Sequence, residues 1–516
     1  MRTLFLIIAS ITIGFIPGVG YSQSDAGTES SYLNLIINHY NKRLQKGKDT
    51  YGAASTPFWM ASVNTTTGMY PEDDTRPDDR PERLYQNRPV EAPRGSTIYW
   101  DMPQVVMAYY LSEKTGNDLY AAAADAYIQA FLANCVAKNS RFLWGNHYYY
   151  DVYRDSTVRF GSTGVISNVN FDKEIGDNHE LRPLAPSWEA FWRIDPEATE
   201  QEIRSAVDGH LLDPNTGEYD RHASGVGDGG EHAFLESGGV LVHMLAWLYQ
   251  KNQDVTLLEK ANKIANYNFS NRNEETQLLE NSPNYNRWDK IYSTTEVGLW
   301  ARDLIAASEY VDATTRQQWV NMADIAMTAW LKYGFDPERC RYYGILRVEN
   351  GEPIFDEDYQ ADFPDPDDGT VYRPDNYTSL WEPLFPRHDY PMPFAESCLE
   401  LYKITGKDQY KAACYRWLTA IQNDLPAWDG EGGYADLYGR VIHFLLGGHE
   451  TFHDERFRLL AQKVGKEAVS RLYADGMFRT HTGEDRYDVA DMFGFLASSL
   501  IWLETGEEPD MMGIFY

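Results

Sequence analysis

Cysteine is scarce in this chain, with four residues in 516, at Cys135, Cys340, Cys398 and Cys414. That is too few for a disulfide framework, so the fold must rest on its core. Cys398 and Cys414 could pair across one helical hairpin or remain buried thiols. Basic residues are also scarce, 46 Lys and Arg against 77 Asp and Glu, giving a formal net charge of −31. A field of that sign repels nucleic acid and anionic membrane surfaces, and neither is expected as a partner. Long apolar runs are few. The one at Leu4–Ile16 is too short for a comfortable membrane span. Preceded by Met-Arg-Thr and followed by Gly20 and Ser22 before Gln23, it reads as a secretory signal peptide over residues 1–22. The mature chain is expected in the periplasm or outside the cell, with no membrane insertion. His-Glu-x-x-His and paired Cys-x-x-Cys are absent. No metal and no cofactor is assigned. Asp228, Glu231 and His232 could hold a cation, and the loop with Asp362, Asp365, Asp367 and Asp368 reads as a solvated acidic stretch.

What the chain has instead is repetition. Met107 to Tyr120 ends one helix at Leu111-x-x-x-Thr115-Gly116 and starts another rich in Ala, and Leu399 to Tyr410 repeats this around Leu401-x-x-x-Thr405-Gly406. Ala246 to Asp254 is a degenerate copy, and Ile501 to Gly506 supplies the first half alone. Each Gly sits where a left-handed helix end is wanted, followed by Asn or Asp or a similar start signal. The hairpins place apolar helices near 103–114, 187–194, 231–250, 294–310, 390–404 and 435–447. Amphipathic partners follow near 117–138, 197–211, 254–268, 313–334, 407–424 and 453–472, with a last helix near 488–504. Alternation of a buried and a half-exposed helix is what two concentric rings require. The expected fold is all-α: an (α/α)6 toroid, with (α/α)7 as the variant, carrying long loops and short β-hairpins at the rim. Residues 23–95 are read as an N-terminal helix and extended segment packed on a barrel over 96–516.

A second repeat is aromatic-x-x-His after an outer helix: Trp144 to His147, Tyr219 to His222 and Phe478 to His481, with Tyr343 to Leu346 in the same place without the His. Inner helices open on polar and aromatic motifs: Tyr99-Trp100-Asp101, His179-Glu180-Leu-Arg182, Glu231 to Glu236, Ser293 to Glu296, Arg387-His388-Asp389-Tyr390, Tyr434 to Arg440 and Asp485 to Asp488. If inner helices run the same way, these starts converge on one end of the ring. Asp101, Asp436 and Asp488 would serve equally as N-caps.

The Thr-Gly hairpins at 111–116 and 401–406, the inner-helix starts and the signal peptide resemble the six-hairpin glycosidase superfamily, nearest to glucuronidases and unsaturated-glucuronyl hydrolases. The resemblance spans most of 95–505 and is architectural, because the catalytic signature common in unsaturated-uronyl hydrolases is absent. It implies a glycan-degrading enzyme with an acidic carbohydrate as substrate.

A hydrolase needs a carboxylic acid and usually a second carboxylate. Glu231, Glu236, Glu296 and Asp389, with His388, are the catalytic candidates, and Glu231 is favoured because glycines at 225–230 lead into its helix start. The candidates for substrate contact are Trp100, Asp101, His147, Tyr149, Arg182, His222, Tyr390, Tyr438 and Arg440. The alternative is a polysaccharide lyase, which neutralises a uronate and removes the adjacent proton with Tyr, His or Lys. A non-catalytic glycan binder would have no need of so many acids and histidines on one rim.

Overall fold

The structure is a computed structural model. It describes residues 31–70, 92, 94–144, 148–160, 166–171, 180–223, 232–283, 292–355, 377–381, 390–425 and 433–515. Fourteen helices are described. The inner ones are α2 (Ile98–Thr115), α4 (Trp188–Ile194), α6 (Leu235–Asn252), α8 (Glu296–Ser308), α10 (Pro391–Thr405), α12 (Ala435–Phe452) and α14 (Phe493–Thr505). The outer ones are α3 (Leu119–Asn134), α5 (Pro196–His210), α7 (Val255–Ser270), α9 (Ala313–Tyr333), α11 (Asp408–Asp424) and α13 (Glu455–Leu472), to which α1 (Tyr32–Lys46) is added.

The sequence explains both the hairpins and their ends. Gly116, Gly406 and Gly506 take left-handed backbone at φ 68°, 66° and 75°. The preceding Thr115, Thr405 and Thr505 each donate a hydroxyl hydrogen bond to the carbonyl four residues back. The same hydroxyl then accepts the N–H two residues on. The Thr-Gly pair thus satisfies carbonyls that a helix end leaves open. In the degenerate copies Gln253 and His453 stand in the left-handed position. Asp195, Asp254, Asp312 and Asp454 cap the outer helices that follow.

Each inner helix packs on the next from α6 through α8, α10, α12 and α14 to α2. Trp192 of α4 meets Trp247 of α6, ring centroids 5.5 Å apart, and Arg193 lies 5.2 Å from the Tyr109 ring of α2, so the circuit returns to its start. Contacts are close enough that a Cβ at Gly494 would come 2.2 Å from the Pro103 backbone. Among the described residues seven inner helices follow one another around this circuit, the (α/α)7 variant of the expected toroid. The seventh pair joins α14 to α1, which packs on it from the other end of the chain. Glu504 accepts the N–H groups of Tyr32 and Leu33. The last inner helix begins at Phe493; Arg486–Asp488 before it is a strand paired with Ser62–Asn64. All four cysteines are free thiols. No described helix is long and apolar enough to cross a membrane.

Short hairpins connect several outer helices back to the ring, and they set the register of the aromatic repeat. Phe142 bridges Val136, Tyr219 pairs with Leu211, Tyr342 with Phe335 and Phe478 with Tyr473. The equivalent residues are therefore Phe142, Tyr219, Tyr342 and Phe478, which shifts the sequence reading by two residues at Trp144 and by one at Tyr343. Three residues on, only two copies carry histidine, His222 and His481, and each bridges the segment preceding its own inner helix, at Glu180 and Tyr434.

Candidate functional site

Neighbouring inner helices touch start to start. Glu296 Oε1, in the first turn of α8, accepts the Glu236 N–H of α6 at 3.0 Å. Thr295 Oγ1 accepts the Tyr390 N–H at the entrance to α10 at 2.8 Å. The Tyr390 hydroxyl crosses back to Glu236 Oε2 at 2.5 Å. The starts therefore share one end of the ring, and this sector of it carries the largest assembly of ionisable groups among the described residues.

Four carboxylates are buried there. Glu180, Glu236, Glu296 and Asp220 are at most 5 % exposed. Arg182 Nη2 lies 3.2 Å from Glu180 Oε2, with both side chains buried. Arg221 reaches two acids, Glu180 Oε1 at 3.5 Å and Glu236 Oε1 at 3.7 Å. His222 follows on the same extended segment. Its Nε2 is 3.5 Å from Glu180 Oε1 and its Nδ1 is 3.4 Å from Asp220 Oδ1. His232 Nδ1 is 3.5 Å from Asp220 Oδ2. Asp220 also accepts the N–H groups of His222 and His232.

The shifts of charge follow from this packing. Burial works to raise the Asp220 carboxyl, but the His222 and His232 side chains close by, together with their backbone N–H bonds, outweigh it and hold Asp220 below the usual carboxylate range. Burial works to lower the His222 imidazole, but Asp220 and Glu180 carry it above its ordinary value. Burial and the nearby Glu236 raise the Tyr390 phenol. The groups that reach the surface are basic: the Arg221, His222 and His232 side chains are 11 %, 30 % and 25 % exposed. An anionic face thus lies beneath and a cationic one at the opening, in a chain whose net charge has the opposite sign.

Asp220, His222 and His232 also have ligand atoms within 4.8 Å of one another. The two Asp220–His side-chain separations, 3.4 and 3.5 Å, exceed an ordinary hydrogen bond. They match the spacing of two ligands on one small cation at about 2.0–2.2 Å from each. Glu180 on the far nitrogen of His222 is the kind of outer carboxylate that orients such a ligand.

Of the residues selected from sequence, His222 and Tyr390 belong to this cluster, and Glu296 and Arg182 support it from full burial. Glu296 is occupied in holding the start of α6. Asp101 pairs with Arg43 at 2.7 Å and accepts the Tyr487 hydroxyl at 2.8 Å, sealed from solvent. Trp100 and Tyr149 are buried, Tyr438 packs near Trp381, and Arg440 lies 4.7 Å from the Phe495 ring. Glu231, Asp389, His388 and His147 lie outside the described residues. Glu236, one of the carboxylate candidates, lies in this cluster; Glu180, Asp220 and Arg221 were within quoted motifs without being selected, and the signal was the run Asp220-Arg221-His222 on one extended segment.

The model of the periplasmic pectate lyase family matches residues 106–239, a quarter of the chain, from α2 to the start of α6. That stretch contains Glu180, Arg182, Asp220, Arg221, His222, His232 and Glu236. Among solved structures the chain is similar to an unsaturated glucuronyl hydrolase specific for heparin, at 10 % identity over 61 % of this chain and 82 % of that one, TM-score 0.40. It is similar to a family 76 glycoside hydrolase from a bovine Bacteroides thetaiotaomicron strain, at 12 % identity over 92 % and 78 %, TM-score 0.42. It is also similar to the cellobiose 2-epimerase of Bacillus thermoamylovorans, at 10 % identity over 90 % and 97 %, TM-score 0.42.

Proposed function

We propose that this chain is an exported enzyme that depolymerises a uronic-acid-containing glycan by β-elimination. The observation that carries the reading is the basic face of Arg221, His222 and His232 over buried carboxylates. The periplasmic pectate lyase model covers the same residues. Elimination requires the uronate charge to be offset so that the neighbouring C–H becomes acidic. Arg221, with its planar fork, and the His222 imidazolium supply that charge. His232, held by Asp220, takes the C5 proton. The C4–O bond breaks as the C4–C5 double bond forms, and the leaving oxygen gains a proton; no water is consumed. Glu180, Glu236 and Glu296 position the basic groups and do not touch the sugar. A divalent cation held by Asp220, His222 and His232 would supply the positive charge that the His222 proton supplies here.

Hydrolysis, the reading the sequence favours, has one observation of its own. Burial and the nearby Glu349 raise Glu280 to about 7, next to Asn281, whose carbonyl accepts the N–H of Leu235 at the start of α6. A carboxyl of that pKa suits a general acid.

Incubating the full chain with a panel of uronic-acid polysaccharides separates the two. The expected result is ultraviolet absorbance from the unsaturated product, reduced roughly 10²-fold or more in Arg221→Ala and His232→Ala. Saccharide release without that absorbance, abolished in Glu280→Gln, establishes hydrolysis instead. Loss of turnover on chelation, restored by a divalent metal, assigns the three donors to a cation.

A further inference from the structure

The hairpin after α9 is the copy of the aromatic repeat that has no histidine. It runs from Phe335 to Tyr343 and carries Arg339 and Arg341. Phe335 pairs with Tyr342 and Asp336 with Arg341. Alternation along the strand turns Tyr342 into the core and leaves Arg341 and Tyr343 partly exposed. The hairpin leaves the C-terminal end of an outer helix, which is the end of the ring where inner helices start. Two residues beyond Tyr343, Ile345 pairs with Thr294, two residues before Glu296. At about 3.3 Å per residue and 4.8 Å between strands, the path from Tyr343 to Glu296 is roughly 20 Å.

Three aromatic rings gather on this face. The Tyr343 and Tyr377 rings stack, centroids 5.3 Å apart and planes 26° from parallel. The Phe355 ring stands edge-on to Tyr343 at 6.1 Å and tilted to Tyr377 at 6.4 Å. Two guanidinium groups lie against the same Tyr377 ring, Arg341 at 5.2 Å and Arg339 at 5.4 Å. The Tyr377 hydroxyl donates to Asp336 Oδ2 at 2.8 Å, Arg341 Nη2 donates to the Thr378 carbonyl at 3.0 Å, and the Tyr343 and Tyr377 backbones bridge. Tyr343, Phe355, Tyr377 and Arg341 are partly exposed, and Arg339 is exposed.

The acids nearby do not neutralise these cations by contact. Asp336 is committed to the Tyr377 hydroxyl and to the N–H groups of Glu338 and Arg339. Among the described residues neither Arg339 nor Arg341 forms an ion pair, with Glu338 of the same turn or otherwise. Asp336 and Asp424 act on them from beyond ion-pair distance. Stacking on an aromatic ring holds a guanidinium in place while its fork stays available to a carboxylate.

We infer that this surface is a distal subsite, which grips an acidic polysaccharide several sugar units away from the bond that is cut. The inference rests on the uronic-acid substrate proposed above and extends it along the rim. Uronate carboxylates meet the Arg339 and Arg341 forks, and the C–H faces of the sugars pack on the partly exposed Tyr343 and Phe355 rings. A neutral glycan would use the rings and leave both forks idle. Single-stranded nucleic acid also combines stacking with charge, but it calls for a positive groove along its backbone, which a chain of net charge −31 does not offer.

The test is retardation of the full chain in native gels containing polygalacturonate in large excess, each protein read against its own mobility without polymer. Fully methyl-esterified polygalacturonan is the uncharged counterpart. The wild type is expected to be retarded by polygalacturonate and less by the ester. Arg339→Glu should need roughly tenfold more polygalacturonate or above, the scale of a lost hydrogen bond between charged groups. Arg458→Glu, the same charge change on the exposed face of α13, should behave as wild type. The Arg339 side chain is exposed and makes no hydrogen bond among the described residues, so its variant should fold, as an unchanged unfolding temperature would verify; Arg339→Gln serves in its place if it does not. No retardation of the wild type overturns the subsite, as does equal loss in the Arg339 and Arg458 variants. Equal retardation by the ester overturns the acidic class, and equal competition by oligo(dT) overturns the glycan. Ultraviolet absorbance from the same proteins reports on the reaction separately. Retardation that depends on Arg339 without absorbance keeps the subsite and overturns elimination; absorbance without such retardation does the reverse.

Discussion

Asp101 and Glu236 hold the same place in the ring. Each lies in the first turn of an inner helix, and each is sealed from solvent. Their surroundings differ. Asp101 meets one cation, Arg43, which is itself fully buried and sandwiched near the Trp59 and Tyr487 rings. Glu236 meets Arg221, which it shares with Glu180, and from there the assembly opens to solvent through His222 and His232. What separates the two is the cover: α1 and the strand Arg486–Asp488 close over the start of α2. A buried acid at an inner-helix start is therefore no mark of chemistry. On the proposed reading, a basic partner that keeps an exposed face is.

The largest effect that tests this contrast is on stability. Asp101→Ala leaves Arg43 buried without its counter-charge and is expected to cost about 3–5 kcal/mol, read by denaturant unfolding. Glu236→Gln keeps an oxygen for Tyr390 and an N-terminal position on α6, and is expected to cost turnover far more than stability. Equal destabilisation by the two would erase the distinction between a sealed sector and a working one.

A smaller effect separates the sectors by pH. His39 of α1 lies in the sealed one, and burial, then Arg43 and Lys42, lower it well below 6.5. The Phe478 N–H donates to its Nδ1, which fits a neutral ring. A depressed histidine supports the fold above its unfolded value and withdraws that support as pH falls below 6.5. His222 has the opposite sign: its raised value supports the fold fully below 6.5, and the support is lost as pH rises through the folded value. His39→Gln should flatten the acid limb of the stability profile, and His222→Gln the alkaline limb. Matching changes on the same limb would show that the two histidines share one environment.

The smallest effect lies outside both sectors and calibrates them. Gln253 occupies at φ 60° the position that glycine holds in three other hairpins. Gln253→Gly is expected to stabilise by up to about 1 kcal/mol, with turnover unchanged. A loss of stability would mean that the Gln253 side-chain bonds to the Tyr249 and Gln250 carbonyls outweigh the backbone strain.

Six of the seven hairpins were legible in the sequence because both helices of each lie side by side in the chain, and in two of them the Leu-x-x-x-Thr-Gly turn marks the join. The seventh was not, because α1 and α14 are far apart in sequence and neither carries a local sign of the other. The aromatic repeat was legible at Tyr219 and Phe478 but displaced at Trp144 and Tyr343, since register depends on which residues pair across a hairpin. In the site, the inner-helix starts were expected to converge on one end, and those of Glu236, Glu296 and Tyr390 meet there. The roles within it were not legible. Whether Asp101 or Glu180 faces a cation with an exposed side depends on what covers it, and cover comes from distant segments. Arg221 passed unnoticed because its meaning lies in two acids, 41 residues before it and 15 after.

The split hairpin bears on how the ring is made. α1 emerges from the ribosome before any other element of the circle, yet its helical partner α14 follows almost the whole of the chain; the bond from Tyr32 to Glu504 spans 472 residues. Until then α1 can settle only against segments made early, on α2 through Arg43 and Asp101 and on α3 through the Tyr120 hydroxyl bond to Asn41, and the apolar flank that α14 will cover stays open. Contacts of such long sequence separation form slowly and leave incomplete intermediates exposed. The twelve intervening helices can assemble as an open arc of local hairpins, and the final step is the clasp that shuts it. A circular permutant that joins α14 to α1 by a short linker and opens the chain at the Thr115–Gly116 turn would make the last contact a local one, and the ring should then close faster.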